Sequence, residues 1–300
     1  SRHWQKRWLM FNKLCILGVG LIGGSIALAV RQRKLSDSIV GFGRNSDLAN
    51  LQVARELGVI DTYNLDITEA VADADCVVIA TPVGAIESLF ASLKPVWNTR
   101  TVYTDVGSTK SNVIAAAQRA FGCVPENLVP AHPIAGAEQS GVTAAVEDLF
   151  VNKRLIITPD KATNPDAVQL IQAFWEALGS KVAVMGAEHH DAVLAATSHL
   201  PHILAFALVD MLGHKDEKSE IFQYAAGGFR DFTRIASSDP TMWRDICLAN
   251  KHEIMPLIQQ LKAELDKMEQ LLDNDDNEQL FNTFTYANKA RKRFLDLFEN

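Results

Sequence analysis

The stretch CILGVGLIGGS, residues 15–25, constrains the fold more than any other part of this chain. Gly18, Gly20 and Gly23 stand in a G-x-G-x-x-G spacing, directly after an apolar β-branched run and directly before a helix-forming one. A strand that turns there and leaves as a helix must pack under that helix. Gly18 permits the tight turn, and Gly23, lacking a Cβ, lets helix and strand come close. Gly20 leaves the backbone open to a pyrophosphate, and the helix N-terminus, with Leu21 and Ile22 in its first turn, presents unpaired N–H groups to it. Ligand-free turns share this glycine spacing, but a strand before it and a helix after it are the context that dinucleotide binding needs.

The same region has a second reading. Residues 14–30 carry no charge and follow the basic SRHWQKRW, so they imitate a signal peptide or membrane anchor. The run is short for a membrane span, holds four glycines and continues into RQRK, all of which favour strand, turn and helix. Residues 1–9, before Met10, read either as an upstream extension or as a remnant of cloning.

Further along, the pattern repeats. KLCILG, SIVGFG, DCVVIAT, RTVYTD and NLVPAH are candidate strands, with helices expected at about 21–33, 46–57, 84–93 and 109–121. Continuous apolar strands alternating with amphipathic helices indicate βαβ units around a parallel sheet buried on both faces. RLIITP and KVAVMG add two strands on either side of the helix DAVQLIQAFWEAL. After Gly186 the strand signal stops. The predicted class is therefore α/β, a Rossmann-type parallel-sheet domain over residues 10–186 followed by an all-helical domain over 187–300. The first helix of that second part, about 187–212, is apolar on nearly every face and is expected to be buried on all sides. A small helical domain with that much apolar surface implies a homodimer. Asp239 suits a helix N-cap and Pro240 the first helical position. Helical spacing then runs to about residue 272 with a kink expected at Pro256, DNDDNE breaks it, and a last helix reaches about residue 298.

Net charge is −7, so no global positive field draws in nucleic acid, and neither nucleic acid nor membrane is an expected partner. The four cysteines are far apart and form no CxxC pair, which argues against a disulfide framework or zinc site and fits a reducing cytoplasm.

Ligands of open α/β sheets lie beyond the carboxyl ends of the strands. The second candidate strand ends in GFGRNS, with Gly43 where an acid would hold the ribose 2′-hydroxyl of NAD, and no acid until Asp47. Arg44, with Asn45 beside it, suits a 2′-phosphate, so NADP is the expected cofactor, with NAD possible. Arg44 as an ordinary solvated charge stays open. An aspartate at position 43 is expected to turn the preference towards NAD. Thr81 and Pro82 follow the next strand as a wall under a nicotinamide. TDVGSTK places Asp105, Ser108 and Lys110 at a strand end, and VPAHPIAGAE places His132 and Glu138 at another. Asp105, Ser108 and Thr109 are equally open to capping the helix that follows. The three loops converge on one crevice, and the Pro-flanked turn holds the His132 ring rigidly. HHDAVLAATSHLPH sets His190, Asp191, His199 and His202 along one helix. His199 and His202 share a face, but the set is not a compact metal-ligand pattern, and no metal is expected. In GGFRDFTRIASSDPTMWRD, Arg230 and Arg234 suit a substrate carboxylate, or ion pairs with Asp231 or Asp245.

GVGLIGGS, DVGSTK, HPIAGAE, SHLPH and GGFRDFTRIASSDPTMWRDI, spread in order over most of the chain, resemble the prephenate and arogenate dehydrogenases of tyrosine biosynthesis. The resemblance implies oxidative decarboxylation of prephenate to 4-hydroxyphenylpyruvate, or of arogenate to tyrosine, with NAD or NADP, by a Rossmann-type domain joined to a helical dimerisation domain. It also implies that His132 contacts the ring 4-hydroxyl and takes its proton, with Ser108 beside it near the nicotinamide. By the same resemblance Arg234 binds a carboxylate, and His202, Glu138 and His199 line the substrate side. Two other readings share the glycine loop. A β-hydroxyacid-type dehydrogenase relies on a catalytic lysine on its interdomain helix, and residues 187–212 contain none. A non-catalytic dinucleotide sensor would not need His132, Ser108 and Arg234 together.

Overall fold

The computed structural model describes residues 9–135, 141–216, 218 and 220–299. Six strands form one parallel sheet: β1 (Phe11–Leu17), β2 (Ser36–Phe42), β3 (Thr62–Asn64), β4 (Cys76–Ile79), β5 (Val102–Asp105) and β6 (Leu128–Val129). Their spatial order is β3-β2-β1-β4-β5-β6. The helices α1 (Leu21–Arg33), α2 (Leu48–Glu56), α3 (Ile67–Val71), α4 (Ile86–Leu93) and α5 (Ser111–Phe121) connect them. The order reverses between β1 and β4, which opens a crevice above the glycine turn.

The continuous apolar runs are explained by burial on both faces of this sheet. In β1, Leu14 and Ile16 enter one core and Cys15 and Leu17 the other. In β4, Cys76 and Val78 divide from Val77 and Ile79 in the same way. Each such aliphatic side chain contributes about 1.5–3 kcal/mol when fully buried. Residues 14–30 are thus core strand, turn and core helix. β3 and α3 went unforeseen because elements of three and five residues carry too little periodicity.

A second sheet holds β7 (Ala131–Pro133), β8 (Arg154–Ile157) and β9 (Lys181–Val184) in the order β7-β8-β9, with β7 antiparallel and β9 parallel to β8. Helix α6 (Pro165–Ala177) joins β8 to β9. NLVPAH, expected as one strand, divides at Pro130 between the two sheets. Pro130 has no N–H to continue a ladder, and its carbonyl accepts instead from Thr158 N at 2.9 Å. His132 consequently lies on β7 opposite Ile156.

Beyond Gly186 the chain is helical: α7 (Ala187–Leu194), a wide π-helical turn (Ala195–His199), α8 (Leu200–Lys215), α9 (Glu220–Gln223), α10 (Gly227–Thr233), α11 (Pro240–Ala249), α12 (Lys251–Asp273) and α13 (Asn277–Glu299). Asp239 caps α11, its carboxylate accepting from Thr241 N at 3.1 Å, with Pro240 at the first helical position. The interruption anticipated at Pro256 falls at Asn250, between α11 and α12, while Pro256 lies inside α12.

Residues 187–215 are long and apolar enough to cross a bilayer by length and composition. They are not buried on all sides: α8 buries only Ala205, and Met211 is 50% exposed. By its contacts the chain divides into two compact units, one ending at Lys251 and one spanning His252–Asn300. That division does not coincide with the end of strand content at Gly186. In the second unit α12 and α13 are amphipathic, and Phe281, Phe284, Phe294, Leu297 and Phe298 are exposed.

Candidate active site

The glycine turn has the shape its spacing requires. Gly18 adopts φ +97°, and a Cβ there would stand 2.8 Å from Ala80 O. A Cβ on Gly23 would fall 2.0 Å from Gly18 O, so helix and turn meet backbone to backbone. Nothing lies within 4 Å of a Cβ built on Gly20, and no side chain caps the N-terminus of α1 there. Open space, free N–H groups and a helix N-terminus fit a pyrophosphate. Leu21 and Ile22 form the first helical turn. Thr81 and Pro82 follow β4, and the buried Thr81 Oγ1 has no partner among the described residues, a polar atom left for a ligand. At the far end of β2, Arg44 is 78% exposed and Asn45 is exposed. A Cβ on Gly43 would lie 2.9 Å from Asp47 Cβ and 3.0 Å from Leu51 Cδ1, so an aspartate at 43 collides with its neighbours and is no clean test of cofactor choice.

His132 is buried and belongs to a relay. Its Nδ1 lies 2.8 Å from His190 Nε2, and His190 Nδ1 lies 2.8 Å from Asp191 Oδ1. The Asp191 carboxylate can only accept, so His190 carries its proton on Nδ1 and accepts on Nε2. His132 must then donate through Nδ1, which leaves Nε2 with a free lone pair. Burial, then the neighbouring His190, Lys110 and His199, holds His132 well below the ordinary histidine range, so it is neutral. A neutral imidazole of fixed tautomer in a dry site is a proton acceptor ready for use.

Asp191 also ties the helical region to the sheet. Its carboxylate accepts from Lys110 N and Ser111 N, both at 2.9 Å, and so caps α5 from 80 residues away. Burial pushes this carboxyl up, but hydrogen bonds from His190 and from the Ser111 and Lys110 N–H groups outweigh that and hold it low. None of the strand-end residues open to capping does so here. Asp105 instead accepts from Gly107 N at 2.9 Å and from the wholly buried Lys110 ammonium, which also donates to Ala131 O at 2.6 Å. Lys110 thereby braces the strand just before His132. Asn250 donates to Asp191 O at 2.9 Å and lies 3.1 Å from His199 Nδ1.

The two histidines expected on the substrate side follow along the same helix. His199, in the π-helical turn, is pushed down by burial to about 4. His202 donates from Nδ1 to Ser198 O at 2.8 Å and stacks on Trp243 with ring centroids 3.6 Å apart. Burial, and the nearby Arg234 charge, keep His202 below its ordinary value despite that hydrogen bond. Arg234 opens the short 3-10 turn Arg234–Ser237, which packs on α8. Trp243 and Ile246 pack on Val83, and a Cβ on Gly84 would meet Asp245 Oδ2 at 2.9 Å, so α11 sits against the loop after Thr81. Asp245 pairs with Arg244 at 3.2 Å.

His132, His199, His202 and Arg234 thus form one electrostatically linked cluster. Ser108 is half-buried in the loop between β5 and α5, two residues before Lys110. Glu138 lies outside the described residues. The sequence sets His190 and Asp191 along one helix without giving them a role, and it gives no site role to Asn250 or Trp243. The usable signal was a run of polar residues opening an otherwise apolar helix, since a buried polar group needs a partner.

Comparison with known proteins points to one family. Residues 26–184 match the family description "Prephenate dehydrogenase, nucleotide-binding domain", and residues 186–286 match "Prephenate dehydrogenase, dimerization domain". The chain is 37% identical over 285 residues to a cyclohexadienyl dehydrogenase of Zymomonas mobilis, covering 94% of this chain and 96% of that one. It is 37% identical over 287 residues to a prephenate dehydrogenase of Bacillus subtilis, covering 94% and 76%. Among solved structures, the prephenate dehydrogenase of Aquifex aeolicus in complex with hydroxyphenyl propionate and NAD+ superposes with a TM-score of 0.87 at 34% identity, covering 94% of this chain and 98% of that one.

Proposed function

This chain belongs to the prephenate dehydrogenase family, and on that premise we propose that it oxidatively decarboxylates prephenate, or its amino counterpart arogenate. A nicotinamide dinucleotide, when bound, would supply the hydride acceptor. The observation that carries the reading is the His132–His190–Asp191 relay, which leaves the free lone pair of His132 Nε2 as the base.

The substrate ring is a cyclohexadiene with a hydroxyl on one carbon and a carboxylate on the carbon opposite. As hydride leaves the hydroxyl-bearing carbon, His132 Nε2 takes the hydroxyl proton and a carbonyl forms. The imidazolium is held by the chain through His190 to the Asp191 charge. Carbon dioxide then leaves the opposite carbon, and its bonding electrons make the ring aromatic and return charge to the oxygen. That oxygen takes the borrowed proton back from His132, so the histidine ends as it began. Aromatisation makes the sequence effectively irreversible. Arg234 pairs a substrate carboxylate, His202, braced on Trp243, and His199 wall the ring, and Ser108 stands on the nicotinamide side. Thr81 and Pro82 would back the nicotinamide.

The nucleotide is held by Gly18, Gly20 and Gly23, with the first turn of α1, and Gly43 with Arg44 favours NADP over NAD. Residues 10–186 serve as the nucleotide-binding domain and residues 187–300 as the substrate and dimerisation domain of a homodimer. The exposed apolar surface of α8, and separately that of α12 and α13, supplies the contact. All four cysteines are free, with Cys15 and Cys76 buried, which suits the cytoplasm.

Absorbance of the reduced nicotinamide, followed with prephenate and with arogenate on each cofactor, tests the activity. His132→Asn should lower kcat by about 10²–10⁴-fold with little change in KM, the scale of general-base removal. A variant as active as the parent would sink the mechanism.

A further inference from the structure

The end of β2 holds a carboxylate that the glycine and arginine there do not account for. Gly43 is the first residue after β2, the place where an acid would meet the adenosine ribose. A Cβ built on it would stand 2.9 Å from Asp47 Cβ and 3.2 Å from Asp47 Oδ2. The Asp47 side chain therefore fills the volume into which a side chain at 43 would project. It is held there, because Oδ2 accepts from Arg44 N at 2.9 Å. It is also accessible, with the side chain 44% exposed and the carboxylate open to a hydroxyl donor. The Arg44 guanidinium lies with Nε 3.9 Å from the same oxygen, so the cation that would attract a 2′-phosphate has an anion beside it.

We propose that Asp47 sets the balance between the two dinucleotides: its carboxylate stands in for the acid that position 43 lacks, accepts the ribose 2′-hydroxyl of NAD and opposes the 2′-phosphate of NADP. The inference rests on the dinucleotide reading of the glycine loop. Gly43 and Arg44 taken alone point to NADP, and Asp47 adds the opposite preference four residues later, from the turn that leads into α2. A carboxylate next to a phosphate repels it, whereas a ribose hydroxyl donates to it directly.

Isothermal titration with NAD+ and with NADP+, on the parent protein and on Asp47→Asn and Asp47→Ser, tests this by binding alone. Both replacements keep an oxygen for Arg44 N, and a matching thermal melt shows that the turn survives. The ratio of Kd for NAD+ to Kd for NADP+ should rise by about 10-fold or more in both variants, the scale of one charge-assisted contact. Arg44→Ala should move the ratio the other way. If the parent binds both dinucleotides and neither Asp47 variant changes the ratio, Asp47 has no such role and the nucleotide site stands. If the parent binds neither, the dinucleotide reading fails and takes this proposal with it.

Discussion

Asp191→Asn removes the charge at the end of the relay while keeping the size of the side chain. In the parent, one carboxylate oxygen accepts from His190 Nδ1 and Lys110 N and the other from Ser111 N. An amide offers a single acceptor oxygen. With the oxygen facing His190, the new NH2 confronts Ser111 N–H, donor against donor. With the oxygen facing Ser111, the NH2 confronts Lys110 N–H and drives His190 to accept on Nδ1. His190 then donates from Nε2 to His132 Nδ1, and His132 carries its proton on Nε2, where it cannot take one from the substrate. Either orientation strands a backbone N–H, buried at Lys110 and partly buried at Ser111, at a cost of about 1–3 kcal/mol in stability. Both remove the negative charge that stabilises the imidazolium. A loss of about 10²–10⁴-fold in kcat is expected, the scale seen when a base loses its orienting carboxylate, with KM for prephenate changed far less. Reduced-nicotinamide absorbance gives kcat and KM, and a thermal melt reports the stability cost separately. A folded Asp191→Asn protein whose kcat stays within about twofold of the parent would refute the relay and leave His132 acting without it.

Arg234→Gln should raise KM for prephenate by about 10- to 100-fold, the weight of one charge-assisted pair, and a rise in cofactor KM instead would move Arg234 to the nucleotide side. His199 is pushed down to about 4 in the folded chain from an ordinary 6.5, and His132 shifts in the same direction. The unfolded chain therefore binds more protons in that window, and stability should fall as pH drops from 6.5 towards about 4, by up to about 1.4 kcal/mol per pH unit for each such histidine. Urea unfolding at several pH values across that window would show it, and stability that is flat or rising towards acid would contradict the neutral assignment. Light scattering at micromolar concentration should give twice the 33.0 kDa chain mass, and a monomer would remove the dimer reading.

Much of the nucleotide half was legible without coordinates because its signals are local. Gly18, Gly20 and Gly23 act within six residues of one another, and the run from Leu14 to Leu17 announces its two-faced burial by lacking polar positions. Asp239 and Pro240 mark a helix start by chemistry that reaches two residues ahead. His132 stood out because a titratable ring in a Pro-flanked turn of small residues has few structural reasons to be there. The rest was hidden by distance along the chain. NLVPAH reads as one strand, and only a second sheet on the other side of Pro130 splits it. The apolar run 187–212 looks like a core helix, yet composition does not say whether its own chain or another surface covers it.

The sequence by itself determined the order of the longer elements and the glycine turn, since periodicity and short motifs depend on neighbours a few residues apart, and it offered His132, Ser108, His202 and Arg234 as candidates through a family resemblance. Tertiary structure decided which proton His132 carries. That depends on His190, 58 residues away, and on Asp191, whose charge is set by two backbone N–H groups 80 and 81 residues away. It likewise turned Asp47 back towards Gly43 at the end of β2. A proton's place and a charge's reach are properties of through-space neighbours in a medium of low dielectric, and no spacing along the chain encodes them.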